Sequence, residues 1–339
     1  MTDEKKEKSL DKNKVLANVA KFRELGLVLV IVVLAIFIQI RNPVFLTMDN
    51  LSNMVINTAI LSILAVGMML VIVTRGIDLS IGATIAFSGM IVAQLVSENP
   101  NIHPILTLIL GLIIGTVTGL VIGFLIAKVE ILPIIATLSA MFVIRGLTFM
   151  VSDGSWVSAH QMPDEFLSIG RGTLLGINYL VLIALIIYAG FYYFVNYTRT
   201  GRQIYAVGSN PDSAKISGIN KDKIMLLVYS LMGGLAGLAG VLWVARFASA
   251  QGDTATGYEM NVIAACILGG VSITGGSGKI MGVILGSLLI GILNNALPLI
   301  GVSPFWQMAI QGFIILFAVI VNTIVGRNVE KSHLLRRSI

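Results

Sequence analysis

The segment Pro104-Ile-Leu-Thr-Leu-Ile-Leu-Gly-Leu-Ile-Ile-Gly-Thr-Val-Thr-Gly-Leu-Val-Ile-Gly-Phe-Leu-Ile-Ala127 contains no charged side chain. It is longer than the roughly 20 residues that an α-helix needs to cross a bilayer. Its glycines, Gly111, Gly115, Gly119 and Gly123, recur at every fourth position. That spacing places them on one helix face, where small residues let two backbones approach closely in lipid. The segment therefore predicts a membrane-spanning helix with a tightly packed face.

Glycine pairs with the same spacing occur in two later apolar stretches, at Gly233 and Gly237 and at Gly282 and Gly286. Such motifs serve either packing within one chain or contact between two copies. We expect packing within the chain here, although the spacing is compatible with both.

The composition indicates an integral membrane protein. Apolar residues make up 56% of the chain, charged residues make up 12%, and the mean hydropathy is +0.92; a soluble domain has roughly 25% charged residues. The short alternating segments of an outer-membrane barrel are absent, so we predict an all-α bundle of about ten transmembrane helices. The predicted spans are Leu25–Ile40, Leu51–Val73, Leu79–Val96, Pro104–Ala127, Ile131–Val151, Leu174–Val195, Ile224–Ala245, Tyr258–Gly270, Ile280–Leu297 and Phe305–Val325.

Lysine and arginine predict the orientation, because basic loops stay in the cytoplasm. With both termini inside, Arg41, Arg145, Arg171 and Arg246 are the exceptions among the 23 basic residues. We predict cytoplasmic tails at 1–23 and 327–339 around one transmembrane domain, 24–326, with a cytoplasmic loop at 197–223. The first span has no small-residue cleavage site after it, so we expect a retained anchor. The net charge of +6 reflects this topology and contact with anionic lipid, and it requires no nucleic-acid partner.

The sequence lacks the patterns of a catalytic, metal or nucleotide site. The single cysteine, Cys266, excludes an internal disulfide and a cysteine metal cluster. The segment Gly275-Gly-Ser-Gly-Lys-Ile280 fails the Walker spacing. No acidic residue lies in the middle of a span, which disfavours a proton- or sodium-coupled carrier. Arg145 lies near the outer end of the fifth span, where we expect it to snorkel to the interface.

The polar stretch between the sixth and seventh spans predicts a small helix. Asn210 can cap it and Pro211 fits its first position. Asp212 favours the positive helix end and Gly218 can close the far end. We predict a rigid helix of about two turns, through which a soluble protein could push on the spans. A solvated loop with turn residues is the alternative.

The eighth span is short and runs into Gly269-Gly-Val-Ser-Ile-Thr-Gly-Gly-Ser-Gly278. Short, glycine-broken spans in transporters often line the transport pathway. The alternative is an ordinary helix that ends in a glycine-rich turn.

Three motifs in this order resemble the permease subunits of bacterial ABC sugar importers over nearly the whole chain. The motifs are Thr74-Arg-Gly-Ile-Asp-Leu-Ser-Ile-Gly82, Thr200-Gly-Arg-Gln-Ile-Tyr-Ala-Val-Gly-Ser-Asn-Pro-Asp-Ser-Ala-Lys-Ile-Ser-Gly-Ile219 and Ile263-Ala-Ala-Cys-Ile-Leu-Gly-Gly-Val-Ser-Ile-Thr-Gly-Gly-Ser-Gly278. The family is the ribose type, with relatives for xylose, arabinose, galactose, rhamnose and autoinducer-2. Arg75 departs from the glycine that many relatives carry. Ser152–Val157 and Gly301–Trp306 look more like the rhamnose and autoinducer-2 branch.

The resemblance implies a type II ABC importer-like permease fold in the bacterial cell membrane. Its implied partners are a second permease copy or a close paralogue, a cytoplasmic ABC ATPase that binds ATP and Mg²⁺, and an extracytoplasmic sugar-binding protein. The permease itself would bind no cofactor and catalyse no reaction. ATP binding and hydrolysis would switch the paired permeases between outward and inward openings.

By the same resemblance, the loop at 197–223 looks like the element that docks on the ATPase. Its implied coupling residues are Arg199, Gly201, Arg202, Ala206, Gly208, Asn210, Pro211, Asp212, Ala214, Lys215, Gly218 and Ile219. Ala214, Ile216 and Ile219 would provide apolar contact, and a bulky residue at Gly208 or Ala214 would uncouple hydrolysis from transport. The accompanying cytoplasmic glycine motifs comprise Gly76, Asp78, Gly82, Gly269, Gly270, Gly275 and Gly276.

Five polar residues within or beside the spans are candidates for the sugar pathway: Asn57, Thr58, Asn261, Asn294 and Asn295. They could instead hydrogen-bond between helices. The external loop Ser152–Thr173 could dock the binding protein or cap the bundle. Two rival functions remain, an ion-coupled secondary carrier of a small polar solute and a scaffold or channel without an energy source.

Overall fold

The computed structural model describes residues 23–314, 316, 319 and 320, and most of these residues are helical. The helices are α1 Arg23–Arg41, α2 Met48–Val73, α3 Ile81–Glu98, α4 Pro104–Ala127, α5 Pro133–Ser152, α6 Asp164–Arg171, α7 Tyr179–Tyr197, α8 Arg199–Ser209, α9 Pro211–Ile216, α10 Lys221–Phe247, α11 Tyr258–Leu268 and α12 Ile280–Leu299. A further helix, α13, includes residues 304–314. The predicted tails, except Arg23, and the end of the tenth span lie outside the described residues.

Within the described part of the chain, eight helices are long and apolar enough to cross a membrane: α1, α2, α3, α4, α5, α7, α10 and α12. Each corresponds to a predicted span, and the bounds of α4 agree with the prediction at both ends. The all-α membrane fold is therefore confirmed. A count of ten spans and the cytoplasmic placement of both termini remain predictions.

Helices α2 and α10 form the centre of the bundle. In each of them, 78% of an 18-residue apolar stretch is buried inside the protein, against 6% of the corresponding stretch in α1. Helix α10 packs most extensively on α4 and α3, while α2 packs on α12, α7 and α11. Helix α1 contacts α12 and is otherwise exposed, as a helix at the lipid-facing edge would be. The polar and glycine-rich segments between these helices are thereby held on a rigid centre.

The glycine faces pack within the chain, as expected. A Cβ atom on Gly115 would lie 2.6 Å from the backbone nitrogen of Gly237 and would overlap the carbonyl oxygen of Gly233. Gly111 and Gly119 meet the same face of α10. The pair in α12 behaves alike, since Gly282 packs on Gly269 and Gly286 on Ala265. These contacts bring α4 onto α10 and α12 onto α11 at backbone distance.

Non-helical segments interrupt the bundle in two regions, one around α11 and one between α2 and α3. Helix α11 has only 11 residues, which at 1.5 Å per residue covers about half of a hydrocarbon core of roughly 30 Å. Non-helical chain precedes it at 251–257 and follows it at 269–279. The segment 74–80 between α2 and α3 is also non-helical and mostly buried. The start of α3, directly after this segment, meets the first region where Gly82 packs against the carbonyl oxygen of Ala255 and the carboxylate of Glu259.

The segment 152–178 caps the bundle on the side where α5 ends and α7 begins. Strand β1 (Val157–Ser158) pairs antiparallel with β4 (Ser249–Ala250), and β2 (Thr173–Leu174) pairs with β3 (Ile177–Asn178). The prediction that the sixth span begins at Leu174 is wrong, because this hairpin turns at Gly176 and Asn178 caps α7 by accepting a hydrogen bond from the Leu180 nitrogen at 2.9 Å. Helix α6 buries Phe166 and Leu167 and leaves Asp164 and Glu165 exposed.

Replacing Gly115 by leucine is expected to destabilise the bundle. The side chain has no space between α4 and α10, and overpacking of this kind costs about 2 kcal/mol, which would lower the melting temperature by roughly 5 °C. The measurement is thermal unfolding of the purified protein in detergent. Gly190→Leu is the matched control, because Gly190 lies in α7 with no atom near its Cβ position. Equal melting temperatures for the two variants would contradict the α4–α10 contact.

Candidate functional site

A cavity of about 330 Å³ lies between α2, α11 and α12. Four of the five predicted pathway residues line it: Asn57 and Thr58 from α2, and Asn294 and Asn295 from α12. Tyr258 at the start of α11 completes the polar part, and none of the described residues that line the cavity carries a charge. The volume is at the lower end of the range of roughly 300–1,000 Å³ that small-molecule sites occupy. The cavity therefore suits a small neutral solute.

Neighbouring side chains fix the amides of the cavity. Arg246 donates from Nε to Oδ1 of Asn57 at 3.1 Å, and Gln311 donates from Nε2 to Oδ1 of Asn294 at 2.8 Å. Each bond occupies the amide oxygen, and neither Nδ2 atom donates a hydrogen bond to another described residue. The cavity therefore keeps two N–H₂ groups available as donors for the oxygens of a ligand.

The other two lining residues are engaged within the chain. Asn295 and Asn50 exchange hydrogen bonds through both amide groups, at 2.9 and 3.0 Å. Thr58 donates to the carbonyl oxygen of Met54 at 2.7 Å. The contact between Asn295 and Asn50 joins α12 to α2, which is the alternative that the sequence left open, whereas the bond of Thr58 stays within α2. Asn261 lies about one turn beyond Tyr258 in α11 and does not line the cavity.

Sequence reasoning missed the residues that support the cavity. The sequence places Tyr258 at the start of the eighth predicted span and Arg246 directly after the seventh. The contact between Arg246 and Asn57 joins residues 189 positions apart, so no local pattern indicates it. An arginine at the end of an apolar span was the one available signal.

Arg145 holds the irregular segment that positions Tyr258. Its Nη1 atom donates to the carbonyl oxygens of Gly252 and Thr254 at 2.9 and 2.8 Å. The expectation that Arg145 snorkels to the interface stays a prediction, and its guanidinium also supplies donors to backbone that forms no helix. Irregular backbone is tolerated inside a membrane only where protein or water satisfies it.

A second candidate site is formed by α8 and α9, which follow α7. The predicted helix is confirmed as α9: the side chain of Asn210 accepts a hydrogen bond from the Ser213 nitrogen at 2.9 Å, and Pro211 is the first residue. Gly218 closes it at a φ of +78°. The prediction of a single helix is incomplete, because Arg199–Ser209 forms α8, which Thr198 caps through the Gly201 nitrogen at 3.0 Å.

The exposed residues of this pair define its outer surface. Arg199, Arg202, Asp212 and Lys215 are exposed, and Ile216 is 89% exposed. Other predicted contact residues point inward: Gly201, Gly208 and Ala214 are buried, and Ala206 and Ile219 are half-buried. The expectation that Ala214 presents an apolar surface to a partner is wrong, because its side chain packs inside this chain. A bulky residue at Gly208 or Ala214 would thus disturb the packing of the transmembrane domain itself.

The inner face of α8 packs on the end of α2 and on the glycine-rich segment 269–279. Gly208 lies against the carbonyl oxygen of Val73, and the nitrogen of Gly276 donates to that same oxygen at 2.9 Å. Tyr205 donates from its hydroxyl to the Gly278 carbonyl oxygen at 2.7 Å. Burial raises the pKa of Tyr205 to about 12, so the hydroxyl keeps the proton that it donates.

The predicted glycine motifs divide between two places. Gly275 and Gly276 have φ values of +86° and +70° and contact α8 and the end of α2. Gly269 and Gly270 end α11.

The earlier motif lies deeper among the helices. Gly76 packs against the hydroxyl of Tyr229. Asp78 is buried, and its Oδ1 accepts hydrogen bonds from the nitrogen and hydroxyl of Ser80 at 2.9 and 2.6 Å. Gly82 belongs to the contact between α3 and α11, away from Gly275 and Gly276.

Comparison with known proteins identifies the chain. The family described as "Branched-chain amino acid transport system / permease component" matches residues 50–319. This chain belongs to that permease family. With its many apolar helices, the permease is a multi-pass protein of the inner membrane.

The permease is similar to named import proteins over most of its length. It is 42% identical to the ribose import permease protein RbsC of Escherichia coli (strain K12), over 88% of this chain and 92% of that protein. It is 35% identical to the L-arabinose ABC transporter permease protein AraH of Azospirillum brasilense, over 88% and 86%. It is 34% identical to the galactose/methyl galactoside import permease protein MglC of Escherichia coli (strain K12), over 89% and 94%. No solved structure matches the permease.

Replacing Arg145 by methionine is expected to destabilise the permease. The carbonyl oxygens of Gly252 and Thr254 would lose charged donors, and such hydrogen bonds contribute about 2 kcal/mol. Thermal unfolding in detergent measures the effect. Arg171→Met is the control, because Arg171 is exposed and its side chain donates no hydrogen bond within the described residues. If both variants melted together, Arg145 would have no role in holding the segment 251–257.

Proposed function

We propose that this chain is the permease subunit of an ATP-driven ABC importer that moves a monosaccharide from an extracytoplasmic binding protein into the cytoplasm. The observation that carries the proposal is the uncharged, donor-bearing cavity between α2, α11 and α12, in a member of a permease family whose similar relatives are named for ribose, arabinose and galactose. A pentose, a deoxyhexose or a related sugar would be the cargo.

The chemistry of the cavity supports a sugar. A monosaccharide is neutral and carries several hydroxyl oxygens that accept hydrogen bonds from N–H₂ groups. The Nδ2 atoms of Asn57 and Asn294 are donors of this kind, and Met54 and Leu61 provide apolar contact for the carbon face of the ring. A cation would find no carboxylate among the described lining residues.

The partners follow from the proposed system. The permease would pair with a second copy or a paralogue, and an ATPase would supply the energy through its own ATP and Mg²⁺. If basic loops face the cytoplasm, α8 and α9 face the ATPase. Their exposed surface combines Ile216 with the charged Arg202, Asp212 and Lys215, a mixture that suits a protein partner.

Replacing Asn57 or Asn294 by leucine is expected to slow import. Each change removes one donor to the sugar, and a hydrogen bond contributes about 1 kcal/mol, or roughly five-fold in rate if it acts in the rate-limiting step. The measurement is uptake by cells at a saturating concentration of labelled ribose, arabinose or galactose, using the sugar whose uptake is lost when the gene is deleted. Asn261→Leu is the control. Equal uptake by all three variants would remove the cavity from the sugar pathway.

Replacing Ile216 by aspartate is expected to weaken binding of the ATPase. The buried area contributed by an exposed isoleucine is lost, which costs about 1.5–3 kcal/mol, or at least ten-fold in affinity. The measurement is the amount of ATPase that copurifies with the tagged permease, identified by mass spectrometry. Leu175→Asp is the control, because Leu175 is 95% exposed at the hairpin on the opposite side of the bundle. An ATPase missing even from the wild-type preparation would favour an ion-driven carrier.

A further inference from the structure

Arg75 takes a backbone conformation that residues other than glycine rarely adopt. It follows α2 with a φ of +66°, in the left-handed region where a Cβ atom crowds the backbone. Such strain persists where the surroundings stabilise it. At Arg75, two backbone hydrogen bonds close the end of α2, from the Arg75 nitrogen to the Ile72 oxygen and from the Gly76 nitrogen to the Val71 oxygen, both at 2.9 Å. The side chain of Arg75 adds further contacts.

The guanidinium group of Arg75 binds the end of α8. Nε donates to the carbonyl oxygen of Gly208 and Nη2 to that of Ser209, both at 2.7 Å. These are the last two residues of α8, where backbone carbonyls lack partners within the helix and the helix dipole is negative. A planar cation with two donors in a fixed fork fits this position better than an ammonium group. Arg75 therefore caps α8 from another helix.

Three chain segments meet around this cap, and we name their meeting point the α2–α8 junction. It consists of Val73 and Arg75 after α2, Tyr205 and Gly208 in α8, and the glycine-rich segment 275–278. Gly275 has no space for a Cβ atom, since it would overlap the side chain of Arg75 and lie 2.9 Å from the Gly208 carbonyl oxygen. Backbone atoms thus pack closely around the guanidinium stem.

The junction joins α8 to every helix that lines the cavity. Helix α2 runs from Asn57 to Val73 without interruption, a distance of about 24 Å. The segment 275–278 lies in the connection between α11 and α12, which carry Tyr258 and Asn294. A displacement of α8 is therefore passed to the cavity through two attachments, Arg75 to α2 and Tyr205 to the glycine-rich segment.

We propose that Arg75 is a positioning residue that transmits movement of α8 and α9 to α2, and so couples the partner's ATP cycle to the opening of the cavity. The inference rests on the proposed function. Among the described residues, Arg75 is the side chain that hydrogen-bonds the end of α2 to the carbonyls of α8. Removing it leaves the exposed docking surface around Ile216 intact but loosens its connection to the pathway.

The variant Arg75→Gly separates coupling from folding. Glycine removes the guanidinium group and relieves the left-handed backbone, so this variant is expected to melt within about 2 °C of the wild type. Arg75→Lys keeps the positive charge but lacks the planar pair of donors. We expect its ratio of sugar imported to ATP hydrolysed to lie between those of the wild type and Arg75→Gly. Arg75→Asn tolerates the left-handed backbone and replaces Arg75→Gly if that variant does not accumulate. Lys128→Ala is the control, because Lys128 pairs with Asp222 at 2.8 Å away from the junction.

The experiment uses the whole importer in proteoliposomes, with the ATPase, the binding protein and the labelled sugar that the wild type imports. The measured quantities are ATPase bound per permease and sugar imported per ATP hydrolysed. We expect Arg75→Gly to bind the ATPase as the wild type does, while sugar imported per ATP falls at least roughly five-fold; Lys128→Ala should leave both unchanged.

Two results would overturn the inference. The first is a wild-type ratio of sugar to ATP in Arg75→Gly. The second is a loss of bound ATPase in proportion to the loss of import, which would make Arg75 part of the docking surface. Failure of the proposed function is distinct from both, because the wild-type complex itself would then show no ATP-dependent import.

Discussion

Backbone groups inside a bilayer must find hydrogen-bond partners within the protein, and the arrangement of this permease depends on how that constraint is met. The regular helices satisfy their own backbone. The backbone of the non-helical segments needs other partners. Arg145 provides them for the segment 251–257 by donating hydrogen bonds to the carbonyl oxygens of Gly252 and Thr254. Because that segment is held, α11 can begin inside the bundle and place Tyr258 at the cavity. The polar cavity therefore depends on α11 being a short helix that begins inside the bundle.

Close contact between helices is the second feature on which the arrangement depends. Glycines remove side chains between α4 and α10 and between α11 and α12, so these helices pack by their backbones. Helix α2 then connects the cavity, which Asn57 lines, to the end of α8, which contacts Val73 at the end of α2.

The sequence predicted the features that depend on local chemistry. Apolar length indicated the spans, glycine spacing indicated which helix faces pack closely, and Asn210 and Pro211 indicated α9. Contacts between distant residues cannot be read from the sequence. Arg246 binds Asn57, which is 189 positions away. Hydrophobic periodicity cannot show that Asn294 lines the cavity while Asn261 does not. The sequence does not predict α8 as a separate helix, and it predicts an outward-facing Ala214, whereas Ala214 is buried against its own chain.

Among the residues that the structure describes, the cavity lining contains amides, a hydroxyl and a phenol, but no charged side chain. A membrane potential of 100 mV does about 2.3 kcal/mol of work on each elementary charge that crosses the field, and none on a neutral one. An uncharged solute held by an uncharged lining therefore carries no electrical current as the cavity changes its opening. The potential therefore does no work on such a solute, and moving it against its gradient needs energy from another source.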